Sequence, residues 1–268
     1  MMRTLSLLVA LSVTCACTAI GPKPGVYEVK TVPMQLPHGE LPITVVKPVA
    51  PSPGNVMILF ATGDAGWLGA SKGIFEHIID RGYAAAAFSS QRVVSNLRKA
   101  KELIGFEQVA SDVDLILVES KKALGLPADA PVIVAGFSRG ANVVVFAAGE
   151  PSLRRHIVGG VALALTAETD YVKPPAGAHL PPSIELDDKG RMRTYPALAR
   201  LGDTPIAVIQ SAGDSYVPAD ESRKLFGPNT DTRRLYEVKA TSHGFSGGRD
   251  EMLKDLDEAL DWIVAKKP

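Results

Sequence analysis

Pro131-Val132-Ile133-Val134-Ala135-Gly136-Phe137-Ser138-Arg139-Gly140-Ala141-Asn142-Val143-Val144-Val145-Phe146-Ala147-Ala148 is the stretch from which the fold can be read. Val132 to Ala135 is a run of small and β-branched apolar residues, the pattern of a buried strand. It runs directly into Gly136-Phe137-Ser138-Arg139-Gly140, and an Ala/Val/Phe segment long enough for a helix follows. Strand, sharp G-x-S-x-G turn and helix together make a nucleophile elbow. The glycines are there for space. The serine backbone is strained, and a side chain two residues to either side would crowd the adjoining strand and helix. The serine oxygen is then held at the carboxyl end of the sheet, above a helix N-terminus with its partial positive charge and N–H groups. A plain strand-to-helix turn shares this local pattern, so the flanks must decide.

On the N-terminal side, Val26 to Met34 and Leu41 to Lys47 read as two strands joined through Pro37-His38-Gly39-Glu40, a hairpin at a sheet edge. Val56 to Ala61 is wholly apolar, as expected of a central strand covered on both faces. The loop Thr62-Gly63-Asp64-Ala65-Gly66-Trp67 follows it. Ser71 to Arg81 reads as a helix with Ile74, Phe75, Ile78 and Ile79 on one face, and Tyr83 to Phe88 as the next strand. Residues 91–125 are mostly helical, with Val109, Val113, Ile116, Leu117 and Leu124 at helical spacing.

Beyond the elbow helix comes a strand from Ile157 to Leu165. Residues 166–202 break the rhythm with Pro174-Pro175, Pro181-Pro182, Asp187-Asp188 and Gly190, and read as a lid-like excursion over the top of the sheet. Pro205 to Ser211 resumes as a strand, Ala219 to Phe226 as a helix and Arg234 to Lys239 as the last strand. Asp250 to Ala265 closes as an amphipathic helix with Leu253, Leu256, Leu260 and Ile263. This alternation predicts a mostly parallel, doubly wound α/β sheet with helices on both faces and an N-terminal antiparallel hairpin. With the elbow included, the order resembles the α/β-hydrolase fold. Sheets of this kind place their chemistry at the carboxyl ends of the strands.

A serine hydroxyl is a poor nucleophile at neutral pH and needs a base, usually histidine, which in turn needs an orienting carboxylate. In the α/β-hydrolase order the acid and then the histidine follow the serine. Asp214 lies in Ser211-Ala212-Gly213-Asp214-Ser215-Tyr216-Val217-Pro218, just after the strand ending at Ser211. His243 lies in Ala240-Thr241-Ser242-His243-Gly244-Phe245, between the last strand and the closing helix. Taken alone, Asp214 suits a helix cap or turn, and His243 a loop histidine without a role. Ser138, Asp214 and His243 in this order, each after a predicted strand, point instead to a catalytic triad. The oxyanion donors are expected from the backbone N–H of Arg139 and of Asp64. This chemistry calls for no metal and no cofactor. A rival, the P-loop-like Gly66-Trp67-Leu68-Gly69-Ala70-Ser71-Lys72-Gly73, fails because Ser71 and Gly73 occupy the places where a P-loop needs glycine and a metal-binding hydroxyl.

The chain has 268 residues, a length that suits one α/β domain. Lys+Arg and Asp+Glu both number 29, so no basic excess points to a nucleic-acid partner. Residues 1–19 read as an export signal: Met1-Met2-Arg3 is a short basic start, Leu5 to Val13 an apolar stretch too short to span a bilayer, and small residues follow. Cys17, preceded by Ala16, is the candidate lipidation site, and ordinary cleavage after Ala19 competes with it. Residues 20–25 read as a linker and 26–268 as the domain. The mature domain keeps at most one cysteine, so neither an internal disulfide nor a thiol metal site is expected.

Two short pieces resemble the VirJ/AcvB family of exported bacterial α/β-hydrolases. Gly63-Asp64-Ala65-Gly66-Trp67 is similar to the family's G-D-G-G-W, and Gly136-Phe137-Ser138-Arg139-Gly140-Ala141-Asn142 to its G-Y-S-x-G-A-D. Ala65 replaces a glycine, Asn142 replaces an acid, and Ser89-Ser90-Gln91-Arg92 matches the family's S-L-R/K-Y-F-W stretch only loosely. The resemblance implies a periplasmic serine ester hydrolase acting at a membrane surface on aminoacylated phosphatidylglycerol, notably the lysyl form. The ammonium of that substrate would need a negative subsite, for which Asp64, with Asp170 and Asp187-Asp188 as a second wall, is the candidate. Trp67 is expected to contact substrate. The competing class is a non-catalytic binding or chaperone-like accessory of a secretion system. The oligomeric state is not legible.

Overall fold

The computed structural model describes residues 20–99, 106–169 and 185–267. Strands β1 (Tyr27–Val32) and β2 (Ile43–Pro48) pair antiparallel. Strands β3 (Met57–Ala61), β4 (Ala84–Phe88), β5 (Val132–Phe137), β6 (Ile157–Leu163), β7 (Ile206–Ser211) and β8 (Arg233–Val238) run parallel to one another. They form one sheet in the order β1-β2-β4-β3-β5-β6-β7-β8, with β2 antiparallel to β4. The main helices are α1 (Ala70–Asp80), α2 (Ser90–Lys99), α3 (Phe106–Leu124), α4 (Arg139–Ala148), α5 (Ala219–Phe226) and α6 (Arg249–Ala265).

The sheet divides the core in two. Side chains alternate across a strand, so Val132 and Val134 of β5 join the layer with α2, α3 and α4. Ile133, Ala135 and Phe137 join the opposite layer with α1 and α6. All six residues of β5 are buried, which is why its sequence reads as an unbroken apolar run. The centre of the sheet is therefore rigid, and the loops leaving its carboxyl edge inherit that rigidity.

Two expectations are corrected. Residues 20–25 are not a free tether, because Ile20 is 1% exposed and packs in the layer containing Tyr27, Ile74 and Ile78. The Lys23 carbonyl accepts the Val26 and Tyr27 N–H groups at 2.9 and 3.0 Å, closing a turn into β1. Burying one isoleucine side chain is worth about 1.5–3 kcal/mol, enough to hold a short segment that glycine and proline counts alone would leave loose. The lid-like excursion over 166–202 is also too long. Met192–Arg193 pairs antiparallel with Glu168–Thr169, and Thr194–Ala197 and Leu198–Leu201 form two helical turns. Met192, Tyr195, Ala197, Leu198 and Leu201 are buried in the α4 layer. The turn-forming residues that suggested an excursion crowd into 174–190, whereas 192–201 is an apolar piece of core. Residues 170–184, which carry Asp170 and both proline pairs, lie outside the described residues, as do the signal segment with Cys17 and residues 100–105.

Candidate active site

Ser138 stands between β5 and α4 with φ 55° and ψ −119°. That conformation costs a non-glycine residue on the order of 1–3 kcal/mol. The surroundings impose it: the Ser138 N–H donates to the Leu163 carbonyl at 2.8 Å, and its own carbonyl accepts the Ala141 N–H at 2.8 Å. The flanking glycines make the turn possible. A Cβ on Gly140 would strike the Ala61 carbonyl and lie 2.7 Å from that of Thr62, and one on Gly136 would lie 2.8 Å from the Ala141 nitrogen. The crowding inferred from G-x-S-x-G is therefore real, against the end of β3 on one side and the first turn of α4 on the other.

The three residues picked out by chain order meet. His243 Nε2 lies 2.8 Å from Ser138 Oγ, and His243 Nδ1 lies 2.8 Å from Asp214 Oδ2. With the proton on Nδ1, the imidazole donates to the carboxylate and accepts from the hydroxyl, which is the direction nucleophilic attack requires. Asp214 is 2% exposed and fully bonded. Its Oδ1 accepts the Tyr216 N–H at 2.8 Å, and its Oδ2 accepts Gln210 Nε2 at 3.0 Å. Gln210, on β7, also donates to the Val217 carbonyl at 2.6 Å and so fixes the shape of the acid loop. The histidine ring is held between Phe137 and Tyr216, with centroids 5.4 and 4.7 Å away.

Backbone donors flank the serine. Arg139 is the first residue of α4. The Asp64 N–H, across from it in the β3–α1 loop, has no protein acceptor among the described residues. That loop is pinned from below, because buried Ser71 accepts the Gly63 N–H at 3.1 Å and buried Ser90 donates to the Thr62 carbonyl at 2.5 Å. Ser71 thus braces the loop, and Lys72 pairs outward with Glu76 at 3.7 Å, in keeping with the rejection of a P-loop.

Two site expectations change in detail. The Asp64 carboxylate is bonded to the Arg139 guanidinium, with Nη2 3.1 Å from Oδ2 and a second contact from Nε. Its charge is met locally, so it is not an unbalanced negative subsite. Trp67 lies edge-on to Phe75 at 5.4 Å against the α1 core and is not among the side chains lining the pocket over Ser138. Those side chains include Asn142, Thr166, Glu168, Arg191 and Tyr216, around a cavity of about 250 Å³. Asp187 turns toward Arg191 at 2.7 Å, and Asp188 stays exposed. Sequence reasoning missed Glu168 and Arg191 because Glu168 sits on a two-residue strand and Arg191 just ahead of its two-residue partner, Met192–Arg193, both too short to show a period. A larger cavity of about 620 Å³ opens at the amino ends of the strands, against Pro48, Ala84 and Pro131; the Ser52 hydroxyl that lines it is tied to the Val56 carbonyl and the Ala84 N–H.

The strand order, the strained serine between β5 and α4, and the acid and histidine after β7 and β8 define an α/β-hydrolase fold. Within that class the chain belongs to the VirJ family of bacterial virulence proteins, whose family model matches residues 55–214. The matched segment holds Ser138 and Asp214, and His243 follows it. Among solved structures the chain is similar to Est1E from Butyrivibrio proteoclasticus, at 13% identity over 88% of this chain and 99% of that one, with a TM-score of 0.60. The esterase domain of a Rhodothermus marinus protein is 18% identical over 89% and 99% of the two chains, with a TM-score of 0.57. An α/β serine hydrolase without lid from Xanthomonas campestris is 18% identical over 87% and 94%, with a TM-score of 0.56. No curated protein sequence matches the chain.

Proposed function

We propose that the protein is an exported serine ester hydrolase. The observation that carries this reading is the relay from Ser138 through His243 to Asp214, with both links at 2.8 Å. His243 takes the Ser138 proton as Oγ attacks the ester carbonyl. The developing oxyanion is met by the Arg139 and Asp64 N–H groups, and His243 then protonates the leaving alcohol. Water, activated by the same imidazole, releases the acyl group from Ser138. The buried, fully bonded Asp214 keeps the imidazole in the required tautomer throughout. A purely binding protein has no use for this arrangement.

The family resemblance adds the finer proposal that the ester is an aminoacylated phosphatidylglycerol, notably the lysyl form, met at the periplasmic membrane face. A fluorophosphonate probe tests the reaction class. Labelling of Ser138, found by peptide mass spectrometry and blocked by prior acylation, is the expected result. An unlabelled folded protein would favour the binding or chaperone-like alternative.

Export makes its own prediction. Processing at Cys17 with lipid attached is the expected mature N-terminus, and an unmodified chain beginning at Ile20 would remove the anchor. Intact-mass measurement on protein from its native compartment separates these outcomes from an unprocessed chain. Either cleavage keeps Ile20, whose buried side chain belongs to the folded domain. Among the described residues no helix is long and apolar enough to cross a membrane.

A further inference from the structure

The pocket over Ser138 is polar. Of the described side chains lining it, Tyr216 alone offers a large apolar surface, while Asp64, Arg139, Glu168 and Arg191 carry charge. A site for a plain hydrocarbon acyl group is lined mainly by apolar side chains, and here the wall is built of ion pairs.

The two pairs are not alike. Asp64 is held by the Arg139 guanidinium through both carboxylate oxygens. On the other wall Arg191 faces two carboxylates. Asp187 grips it side-on, with Oδ2 2.7 Å from both Nε and Nη2, while Asp187 Oδ1 accepts the Lys189 and Arg191 N–H groups at 2.9 and 2.7 Å. The Asp187 side chain is 7% exposed, so it is committed to its own turn. Glu168 touches Arg191 at one point only, 3.3 Å from Nη2, and its side chain is 35% exposed. Among the described residues, two carboxylates against one guanidinium leave one negative charge in this contact group, and Glu168 is its loosely held, pocket-facing member.

The same segment is tied to the nucleophile. Asn142, on the first turns of α4, donates to Thr166 Oγ1 at 2.9 Å, and Thr166 Oγ1 donates to the Glu168 carbonyl at 2.9 Å. Glu168 is therefore placed relative to Ser138 by two hydrogen bonds rather than by a free loop.

We infer that Glu168 is a specificity-determining residue: its carboxylate binds an ammonium on the part of the substrate lying in the pocket over Ser138, and Arg191, fixed by Asp187, positions it. The inference rests on the serine-hydrolase reading and deepens it by assigning the substrate's positive charge to a residue. An incoming ammonium replaces a single long contact of Glu168, while Arg191 keeps its closer partner, so neither charge is left bare.

The experiment compares p-nitrophenyl esters of 6-aminohexanoate and of hexanoate, which differ in one terminal ammonium. Wild-type protein should show the higher kcat/KM on the amino ester, with a preference that shrinks as salt is raised. Glu168→Gln should cut the ratio of the two kcat/KM values roughly tenfold, as expected for one partly desolvated charge contact. Glu168→Asp should keep part of the preference, and Arg191→Met should lower it by letting Glu168 drift. An unchanged ratio in Glu168→Gln, or a wild-type preference for hexanoate, overturns the inference and leaves the hydrolase reading standing. If wild-type protein turns over neither ester and Ser138 takes no fluorophosphonate, the hydrolase reading falls and takes this one with it.

Discussion

Ser138→Ala lowers kcat by about four orders of magnitude or more, on the scale seen when a triad nucleophile is removed, and leaves the fold intact. The two halves of this expectation have different physical sources. Among the described residues the hydroxyl bonds only to His243 Nε2, a contact that belongs to the site and not to the core. The backbone at Ser138 is held in place by Leu163, Ala141 and the close approach of Gly140 to the end of β3, none of which needs the oxygen. Alanine keeps a Cβ at φ 55° and so keeps the strain, whereas Ser138→Gly relieves it and should raise stability while being equally inactive. Kinetics on any ester the wild type cleaves, with thermal melts of all three proteins, check both halves. Near-normal turnover by Ser138→Ala would refute the assignment of the nucleophile. A melting point below wild type for Ser138→Gly would show that the conformation is not strained.

That site could be read in advance for a local reason. Gly136 and Gly140 leave a mark in the sequence because the backbones they touch allow no other residue, and β5 is an unbroken apolar run because both its faces are covered. Asp214 and His243 could be read from position, since Asp214 follows the buried strand Ile206–Ser211 and His243 stands between the last strand, Arg233–Val238, and the closing helix.

What could not be read depends on partners distant in the chain. Nothing in Gly63-Asp64-Ala65 tells that Arg139, 75 residues later, will meet the Asp64 carboxylate. Trp67 looks like a contact residue in a loop, and only the fold shows Phe75 beneath it. Ser71 and Ser90 brace the β3–α1 loop through single hydrogen bonds, which leave no pattern at all. Glu168 and Arg191 come together through a pairing only two residues long, and the intervening proline-rich stretch hides that they are neighbours.

The buried segment 192–201 supplies the largest expected loss of stability. Glu150 follows α4, the helix that starts directly after Ser138, and its carboxylate pairs with Arg200 from the turn Leu198–Leu201. Both side chains are nearly buried, at 11% and 10% exposure, and the Arg200 carbonyl accepts Arg154 Nη1 at 2.6 Å. Removing one partner of such a pair strands the other's charge in the interior, at a cost of about 3–5 kcal/mol. Arg200→Met and Glu150→Leu should therefore each lower the melting temperature by roughly ten degrees, since one kcal/mol corresponds to about 2–4 °C in a domain of this size. The double variant should recover part of that loss, because the Glu150–Arg200 pair is then removed whole and neither of its charges is left facing an apolar side chain. A mobile lid over 166–202 would make all three variants nearly neutral, as for an exposed ion pair. Melting curves for the two single variants and the double variant thus decide whether residues 192–201 are core that holds α4 beneath Ser138 or a flap lying above it.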